Sequence, residues 1–277
     1  MTLLSGKDIK EKIRKELFDE VLSLRIPPTL AIIQIGKNSE SEVYIHQKKK
    51  FAESIGVEVL ALVFSEDTSQ EEILNKIDVL NDNENVKGII VQLPIPKNLN
   101  KRIILDAIDF KKDIDGLGTI QSGFLSNKDK NTILPATVRG ILTLFDYYEI
   151  DLVGKNVVIV GRSDLVGKPL AFACLHKNAT VTICHSHTKN LQKITQNADI
   201  LIVACGVPKM ITADFVCEGQ VVVDVGIHKK ENGLCGDVDF EAVSKIVSAL
   251  SPVPGGVGPL TVASLFQNLM DSCLEKV

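Results

Sequence analysis

The chain has 277 residues, of which 45% are hydrophobic and 24% charged, with a formal net charge of −4 and a pI of about 5.8. This length accommodates two modest domains, and the composition is typical of a globular protein. The slight acidity argues against a broad basic surface for nucleic acid. No apolar run approaches the roughly 20 residues of a membrane-spanning helix. The first residues lack the layout of a signal peptide, so we expect a cytoplasmic protein.

The six cysteines lie in scattered apolar segments and form no C-x-x-C pair. They are Cys174, Cys184, Cys205, Cys217, Cys235 and Cys273. We expect small side chains in a reducing compartment rather than disulfide partners or zinc ligands, and we predict no metal site.

Strands alternate with helices through the first 110 residues. The pattern predicts helices over 6–25, 38–55 and 69–80, and strands over 29–36, 57–64 and 86–93. A further short helix is expected after the proline-bounded segment "LPIPKNLN", which begins within the third strand. Short apolar runs separated by helices are typical of a parallel sheet with both faces covered.

The segment Phe110–Thr137 is rich in Gly, Asp, Asn and Lys, and its lack of periodicity predicts a loop and domain boundary. After a helix over 137–150, five apolar runs predict a Rossmann-like sheet. These runs are "NVVIVG", "ATVTICH", "ADILIVACG", "QVVVDVGI" and "KIVSALSPVP". An amphipathic helix over 260–274 follows. We predict a two-domain α/β fold, with an N-terminal α/β sheet domain (1–135, joined by the C-terminal helix segment 259–277) and a Rossmann-like domain (136–258).

The stretch "VVIVGRSDLVGKPLA" places Gly161 after a strand and Gly167 at the start of a helix. Backbone N–H groups and the helix dipole at such a turn favour a phosphate. The spacing departs from G-x-G-x-x-G, so an ordinary strand-to-helix turn that needs glycine is the competing interpretation.

The next strand favours NADP over NAD. An NAD site usually carries Asp or Glu about 20 residues on, but here the strand ends in "TICHSHT" without a carboxylate. Arg162 and Ser186 instead offer a cation and a hydroxyl, which suit a 2′-phosphate. Asp164 is close by in sequence and must point elsewhere. We interpret His185 and His187 as surface-loop residues, because no third ligand is near in sequence.

The triple lysine in "SEVYIHQKKKF" contains one unusual member. At about 100° per residue, Lys48 shares the apolar face with Tyr44, Phe51 and Ile55, whereas the next two lysines turn toward solvent. A buried lysine loses hydration, its pKa falls, and it becomes a usable acid and base near neutral pH. The alternative is a lysine that extends its charge to water from the edge of the stripe.

Two polar segments are expected where α/β sheets place function, at the carboxyl ends of strands. Gln92 ends "GIIVQ", and Asp113 and Asp115 lie in "KDIDG". A carboxylate can accept paired hydrogen bonds from a flat amidine-like edge, such as that of a pterin. The alternative for Asp115 is an ordinary Asp-Gly turn with Gly116.

Six motifs occur in order: "YIHQK", "VQLPIP", "KDIDG", "GRSDLVGKP", "TVTICHS" and "SPVPGGVGPLTVASL". From about Leu3 to the C-terminus the chain resembles the bifunctional methylenetetrahydrofolate dehydrogenase/cyclohydrolase (FolD) family. The resemblance implies NADP-dependent oxidation of 5,10-methylenetetrahydrofolate to the methenyl form, followed by hydrolysis to 10-formyltetrahydrofolate. It also implies a homodimer.

The resemblance implies a role for each motif residue. Lys48 would be the acid and base of the hydrolytic step, oriented by Tyr44 and Gln92, while Asp115 would bind the pterin. The substrate-binding residues would be Tyr44, Lys48, Gln92, Leu93, Asp115, Pro254, Gly255 and Gly258. The cofactor-binding residues would be Gly161, Arg162, Ser163, Val166, Gly167, Ser186 and Ile227.

The sequence departs from the usual family pattern at several positions, including Ala136, Val138 and His228, none of them one of the four proposed catalytic residues. Two alternatives stay open. One is another two-domain NADP dehydrogenase, acting on shikimate or an amino acid. The other is a nucleotide-binding protein without catalytic activity.

Overall fold

The structure is a computed structural model that describes residues 1–36, 39–230 and 233–273. The elements in chain order are β1 (Thr2–Leu3), α1 (Lys7–Ser23), β2 (Thr29–Ile35), α2 (Ser39–Ile55), β3 (Glu58–Phe64), α3 (Gln70–Asp82), β4 (Val86–Val91), α4 (Lys101–Asp106), α5 (Thr119–Ser126), α6 (Ala136–Tyr147), β5 (Asn156–Val160), α7 (Gly167–His176), β6 (Thr180–Cys184), α8 (Leu191–Gln196), β7 (Ile200–Val203), β8 (Val221–Asp224), β9 (His228–Lys230), β10 (Gly233–Cys235), α9 (Phe240–Val243), β11 (Ala249–Leu250) and α10 (Val257–Cys273). Among these described residues, no helix is both long and apolar enough to cross a membrane.

The chain divides into two compact units. The three-stranded unit comprises Glu11–Ala136 and the residues from Val262 onward, and the six-stranded unit comprises Met1–Lys10 and Thr137–Thr261. The fold class predicted from the sequence, an α/β sheet domain followed by a Rossmann-like domain, is confirmed.

The three-stranded unit is built on the parallel order β3-β2-β4. Strand β2 is central, and its sequence "LAIIQI" is buried throughout, as expected for a strand covered on both faces. Residues of α3 and α4, such as Ile73 and Ile104, pack with Ile33 and Ile89 in one apolar core. Ser69 caps α3 by accepting a hydrogen bond from Glu72 N.

The six-stranded unit has the order β1-β11-β8-β7-β5-β6, and every neighbouring pair is parallel. Its core joins the strands through Val158, Leu201, Val222 and Leu250. Because all strands run the same way, the segments that follow them meet at one edge of the sheet, where ligands bind in folds of this type.

The first residues of the predicted domain 1–135, which stays a prediction, pair with a strand of the six-stranded sheet. Strand β1 pairs with β11, and Met1–Lys10 therefore cluster with the six-stranded unit. A strand of two residues has no measurable periodicity, and its partner lies near the other end of the sequence. No local pattern could therefore reveal this pairing.

The predicted loop over 110–137 contains a helix, α5, so that part of the prediction is wrong. The sequence "TIQSGFLS" has low helix propensity because of its Gly, Thr and Ser residues. Tertiary contacts stabilise α5 instead: Gln121 donates to Phe110 O at 2.7 Å and accepts from Ile133 N at 2.8 Å.

Other elements also differ from the prediction. The run "KIVSALSPVP" contributes only Ala249–Leu250 to the sheet, and an unpredicted antiparallel hairpin, β9–β10, follows β8. Helix α10 begins at Val257 rather than Leu260. The predicted helical positions 38 and 274–277 lie outside the described residues.

Candidate active site

Helix α2 directs its three consecutive lysines differently. Phe51 and Ile55 are buried, whereas Lys49 and Lys50 are exposed. Lys48 is half-buried and lies one turn before Phe51, at the edge of the buried face. Residues one position apart are rotated by about 100°, so the three side chains cannot share a face. The prediction that Lys48 alone of the three turns inward is confirmed.

Gln92 holds the amine of Lys48. Lys48 Nζ donates a 3.0 Å hydrogen bond to Gln92 Oε1, and Gln92 Nε2 donates to Leu93 O at 2.9 Å. Gln92 directly follows β4, and its backbone N–H donates to Ile33 O of the neighbouring strand at 2.8 Å. Since both ends of the amide are engaged, its oxygen is fixed toward Lys48.

Asp115 reaches the same region because its loop runs beside β4. Ile89 N donates to Lys112 O at 2.8 Å, and Ile89 forms a parallel bridge with Asp113. Asp115 therefore lies level with the carboxyl end of β4, where Gln92 stands. Gly116 makes the bend that follows: its φ is +65°, and a Cβ there would lie 2.4 Å from Ile133 O.

Helix α10 fixes this loop from the other side. Asn268 Nδ2 donates to Ile114 O and to Leu134 O, both at 2.8 Å. Asn268 is only 2% exposed, so water does not compete for these bonds. The sequence analysis did not single out Asn268, whose bond to Ile114 spans 154 residues.

Burial and charge act in opposite directions on Lys48 and Asp115. Burial lowers the pKa of Lys48, and the negative charge of Asp115 partly restores it. Burial also raises the pKa of Asp115, and the charge of Lys48 opposes that rise. The result is an amine that gives up its proton more easily than an exposed lysine does, close to a carboxylate.

Asp113 has a separate role in the same loop. It is 3% exposed and accepts hydrogen bonds from Gly118 N at 2.8 Å and Leu117 N at 3.3 Å. Burial raises its pKa to about 6, and the nearby Asp115 charge adds to that rise against the lowering effect of the backbone donors. Asp113 therefore shapes the turn that carries Asp115.

Two more predicted residues accompany Lys48 in the three-stranded unit. Tyr44 lies four residues earlier on α2 and is half-buried, so it belongs to the same side of the helix. Leu93 follows Gln92, is half-buried, and packs on the core of the unit.

The predicted glycine turn joins β5 to α7 in the six-stranded unit. Gly161 has φ +134°, and a Cβ there would lie 2.2 Å from Ala204 O. A Cβ on Gly167 would lie 2.2 Å from Gly161 O. Ser163 Oγ accepts from Val166 N at 3.1 Å and Gly167 N at 3.4 Å, so its hydroxyl ties the turn to the start of α7. Both glycines are therefore required by close backbone packing.

The predicted NADP-selective residues follow adjacent strands. Arg162 after β5 and Ser186 after β6 are both exposed, and these strands pair directly. Asp164 binds Lys168 Nζ at 2.7 Å, so its charge has a partner one helical turn away. This ion pair reduces the repulsion that Asp164 would exert on a phosphate.

The two histidines of "CHSHT" form part of a turn. His185 N donates to Thr188 Oγ1 at 2.8 Å, and His187 N donates to His185 Nδ1 at 3.2 Å. Within the described residues, no group of three or more His, Cys, Asp or Glu side chains is arranged to hold a metal ion.

The other predicted ligand-binding residues also lie in the six-stranded unit. Ile227 follows β8 and is 41% exposed, and its Cδ1 would be 3.5 Å from a Cβ on Gly258. Gly255 has φ +108°, and its carbonyl accepts from Gly6 N at 2.8 Å. Pro254 is exposed beside it. The structure thus brings Ile227, predicted for the cofactor, next to Gly258, predicted for the substrate.

The sequence analysis missed a buried acidic pair in this unit. Asp224 ends β8, and Asp237 lies after β10; both are buried. Their signal in the sequence is faint: each stands close to glycines, in "VDVGI" and "CGDVD".

One parallel α/β unit carries a desolvated lysine, an amide and a carboxylate, and the Rossmann-like unit carries a glycine turn. These features define a two-domain nucleotide-dependent α/β enzyme. Residues 4–115 match the family model for the catalytic domain of tetrahydrofolate dehydrogenase/cyclohydrolase, and residues 135–277 match the model for its NAD(P)-binding domain. The chain belongs to the tetrahydrofolate dehydrogenase/cyclohydrolase family, so the resemblance seen in the sequence is confirmed.

Individual relatives agree with this assignment. The bifunctional protein FolD of Agathobacter rectalis is 47% identical over 274 residues, which cover 98% of each chain. A crystal structure of the bifunctional enzyme FolD from Campylobacter jejuni has a TM-score of 0.98 and 43% identity, and covers 100% of both chains. The Trypanosoma brucei enzyme, crystallised with NADP and an inhibitor, has a TM-score of 0.94 and 31% identity over 99% of each chain. The shikimate- or amino-acid-type alternative is not favoured.

Proposed function

We propose that this chain oxidises 5,10-methylenetetrahydrofolate to the methenyl form with NADP+ and hydrolyses the product to 10-formyltetrahydrofolate. The observation that carries this proposal is the Lys48 amine, desolvated, hydrogen-bonded to Gln92 at 3.0 Å and in the field of Asp115. All three residues, with Tyr44, lie within the segment matched by the catalytic-domain family model. The Campylobacter jejuni enzyme is named for the same pair of activities, methylenetetrahydrofolate dehydrogenase and cyclohydrolase.

Lys48 is the acid and base of the hydrolytic step. Burial lowers its pKa, so a larger fraction of the amine is unprotonated near neutral pH than in an exposed lysine. An unprotonated amine can accept a proton from the water that attacks the methenyl carbon, and the resulting ammonium can return it as the ring opens. Gln92 holds the nitrogen in one position, which limits the motion that catalysis would otherwise have to restrict.

Asp115 binds the pterin. Its two carboxylate oxygens can accept paired hydrogen bonds from the ring N–H and the exocyclic amino group. The loop is fixed on both sides, through Ile89 and through Asn268, so the carboxylate is positioned before substrate arrives. Tyr44 and Leu93 supply apolar surface close to Lys48.

The dehydrogenase step needs alignment more than a protein base, because the nitrogen lone pairs of the substrate stabilise the cation that forms. NADP+, when bound, supplies the hydride acceptor. The turn of Gly161, Ser163, Val166 and Gly167 holds its diphosphate, Arg162 and Ser186 hold its 2′-phosphate, and Ile227 also contacts the cofactor. The tight backbone approach at Gly161 and the exposed cation of Arg162 support this assignment.

A paired assay tests the proposal. Purified protein is given methylenetetrahydrofolate with NADP+ or NAD+, and the absorbance of the methenyl product is followed. Hydrolysis of methenyltetrahydrofolate is then measured without nucleotide. We expect both activities, with NADP+ preferred. If the protein binds the nucleotide but catalyses neither reaction, the alternative of a nucleotide-binding protein without catalytic activity is supported instead.

The predicted homodimer has a candidate surface in the edge strand β3. On the other edge, β4 is covered, because Ile89 N donates to Lys112 O at 2.8 Å. Among the described residues β3 pairs with no strand on its outer side, and it exposes Leu60 and Val63. An apolar edge of this kind is normally covered, and a second copy of the chain is the occupant we propose. Val63→Lys should yield monomers in analytical ultracentrifugation.

The cytoplasmic location and the predicted domain boundaries stay predictions.

A further inference from the structure

One buried carboxylate joins two loops at the carboxyl edge of the six-stranded sheet. Asp237 is 0% exposed, and its Oδ2 accepts from Cys205 N at 2.7 Å and Gly206 N at 2.9 Å. These amides belong to the loop after β7. Its Oδ1 lies 2.7 Å from Nε2 of His228, the first residue of β9, which ends the loop that follows β8.

A second carboxylate fixes Asp237 itself. Asp224 Oδ1 accepts from Asp237 N at 3.0 Å and from Gly226 N at 3.0 Å, and its Oδ2 accepts from Val238 N at 2.9 Å. The backbone around Asp237 therefore has little freedom, and its carboxylate is a rigid acceptor for His228.

The contacts on either side of Ile227 determine where that side chain points. A Cβ on Gly226 would lie 2.3 Å from Asp237 Cγ, so the backbone before Ile227 packs directly on this carboxylate. The next residue, His228, donates to the same carboxylate. The Cα–Cβ direction at Gly226 and the side chain of His228 both point to Asp237. Ile227, which stands between them, points the other way and lies against Gly258.

We propose that His228 is a positioning residue for the cofactor: through its Nε2–H bond to Asp237 it holds Ile227 in the orientation that contacts NADP+. The inference rests on the proposed function, in which Ile227 touches the cofactor. His228 itself contacts neither substrate nor cofactor. Loss of its bond would leave Asp237 Oδ1 with one partner fewer and free the loop at its second attachment, which weakens NADP+ binding.

Two variants separate this role from simple maintenance of the fold. His228→Leu removes the donor, and His228→Gln restores an N–H donor at the position of Nε2. For His228→Leu we expect KM for NADP+ to rise about tenfold, the scale of a lost hydrogen bond to a charged group, with a smaller change in kcat. His228→Gln should return KM to within about twofold of the wild type. Cyclohydrolase activity, measured without nucleotide, serves as the readout that a general loss of structure would lower.

The two activities of His228→Leu and the recovery in His228→Gln together decide whether His228 has a positioning role. An equal loss of both activities in His228→Leu, a failure of that variant to fold, or no recovery in His228→Gln would overturn the positioning role. Ile227→Ala separates the contact of Ile227 with the cofactor from the positioning role of His228. If it leaves KM for NADP+ unchanged, the proposed contact of Ile227 with the cofactor is wrong. If it raises KM while His228→Leu does not, only the inference about His228 fails.

Discussion

Nζ of Lys48 on α2 lies 3.0 Å from Oε1 of Gln92, the residue that directly follows β4. The bond links a helix to the carboxyl end of a buried strand, and the two residues are 44 positions apart. A side chain at a strand end is held more precisely than one on a loop, so this bond restricts the position of the nitrogen.

Gln92→Glu should raise the pKa of Lys48, because a carboxylate at hydrogen-bond distance favours the ammonium form. The limb of the cyclohydrolase pH–rate profile that reports Lys48 should move to higher pH by roughly one unit or more. Gln47→Glu, which adds the same charge at an exposed neighbouring position, is the control and should leave the limb in place. A profile for Gln92→Glu that is unmoved, or displaced to lower pH, would show that Lys48 does not set this limb.

Asn268→Ala should weaken folate binding. The variant removes the hydrogen bonds that tie α10 to Ile114, next to Asp115, and to Leu134, and we expect KM for the folate substrate to rise about tenfold in both reactions. KM for NADP+ should change little. Ser272→Ala is the matched control, because Ser272 also ties α10 to another segment, through a 3.0 Å bond to Lys87 O. Equal effects of the two variants on KM would argue against a specific role for Asn268.

The sequence predicted the parts of the site that depend on local periodicity. The inward turn of Lys48 follows from helical spacing, and the placement of Gln92 follows from the end of an apolar strand. Long-range polar contacts leave no such pattern: the bonds of Asn268 to Leu134 and of His228 to Asp237 are specified by tertiary packing alone. Helix α5 was missed for the same reason, since Gln121 rather than helix propensity stabilises it.

Asp113 should make the protein less stable as pH rises through the acid range. Its pKa is about 6 in the folded state against an ordinary 3.8, so between these values the folded state binds more protons than the unfolded state. Stability therefore falls with rising pH across that window, by up to about 3 kcal/mol. The measurement is the free energy of unfolding of wild type minus that of Asp113→Asn, from urea titrations between about pH 3.5 and 7. A difference that stays constant or increases with pH would contradict the assignment.

Gly161→Ala should destabilise the protein and abolish NADP+ binding. The new Cβ would meet Ala204 O at 2.2 Å on backbone that already has φ +134°. Gly233→Ala is the control for the dihedral cost alone, since Gly233 has φ +129° and open space around the Cβ position. We expect a loss of about 1–3 kcal/mol for Gly233→Ala and a clearly larger loss for Gly161→Ala, by thermal denaturation. Equal losses would mean that the close approach to Ala204 has no consequence.

The most direct test compares the cyclohydrolase rate of Lys48→Met with that of Lys49→Met. The two variants remove adjacent amines, of which the first is half-buried and the second exposed. If the desolvated Lys48 amine moves the proton in hydrolysis, Lys48→Met should lose at least about a hundredfold in kcat while still binding NADP+, and Lys49→Met should match the wild type. Hydrolysis by Lys48→Met within a few-fold of the Lys49→Met rate would contradict the proposed mechanism.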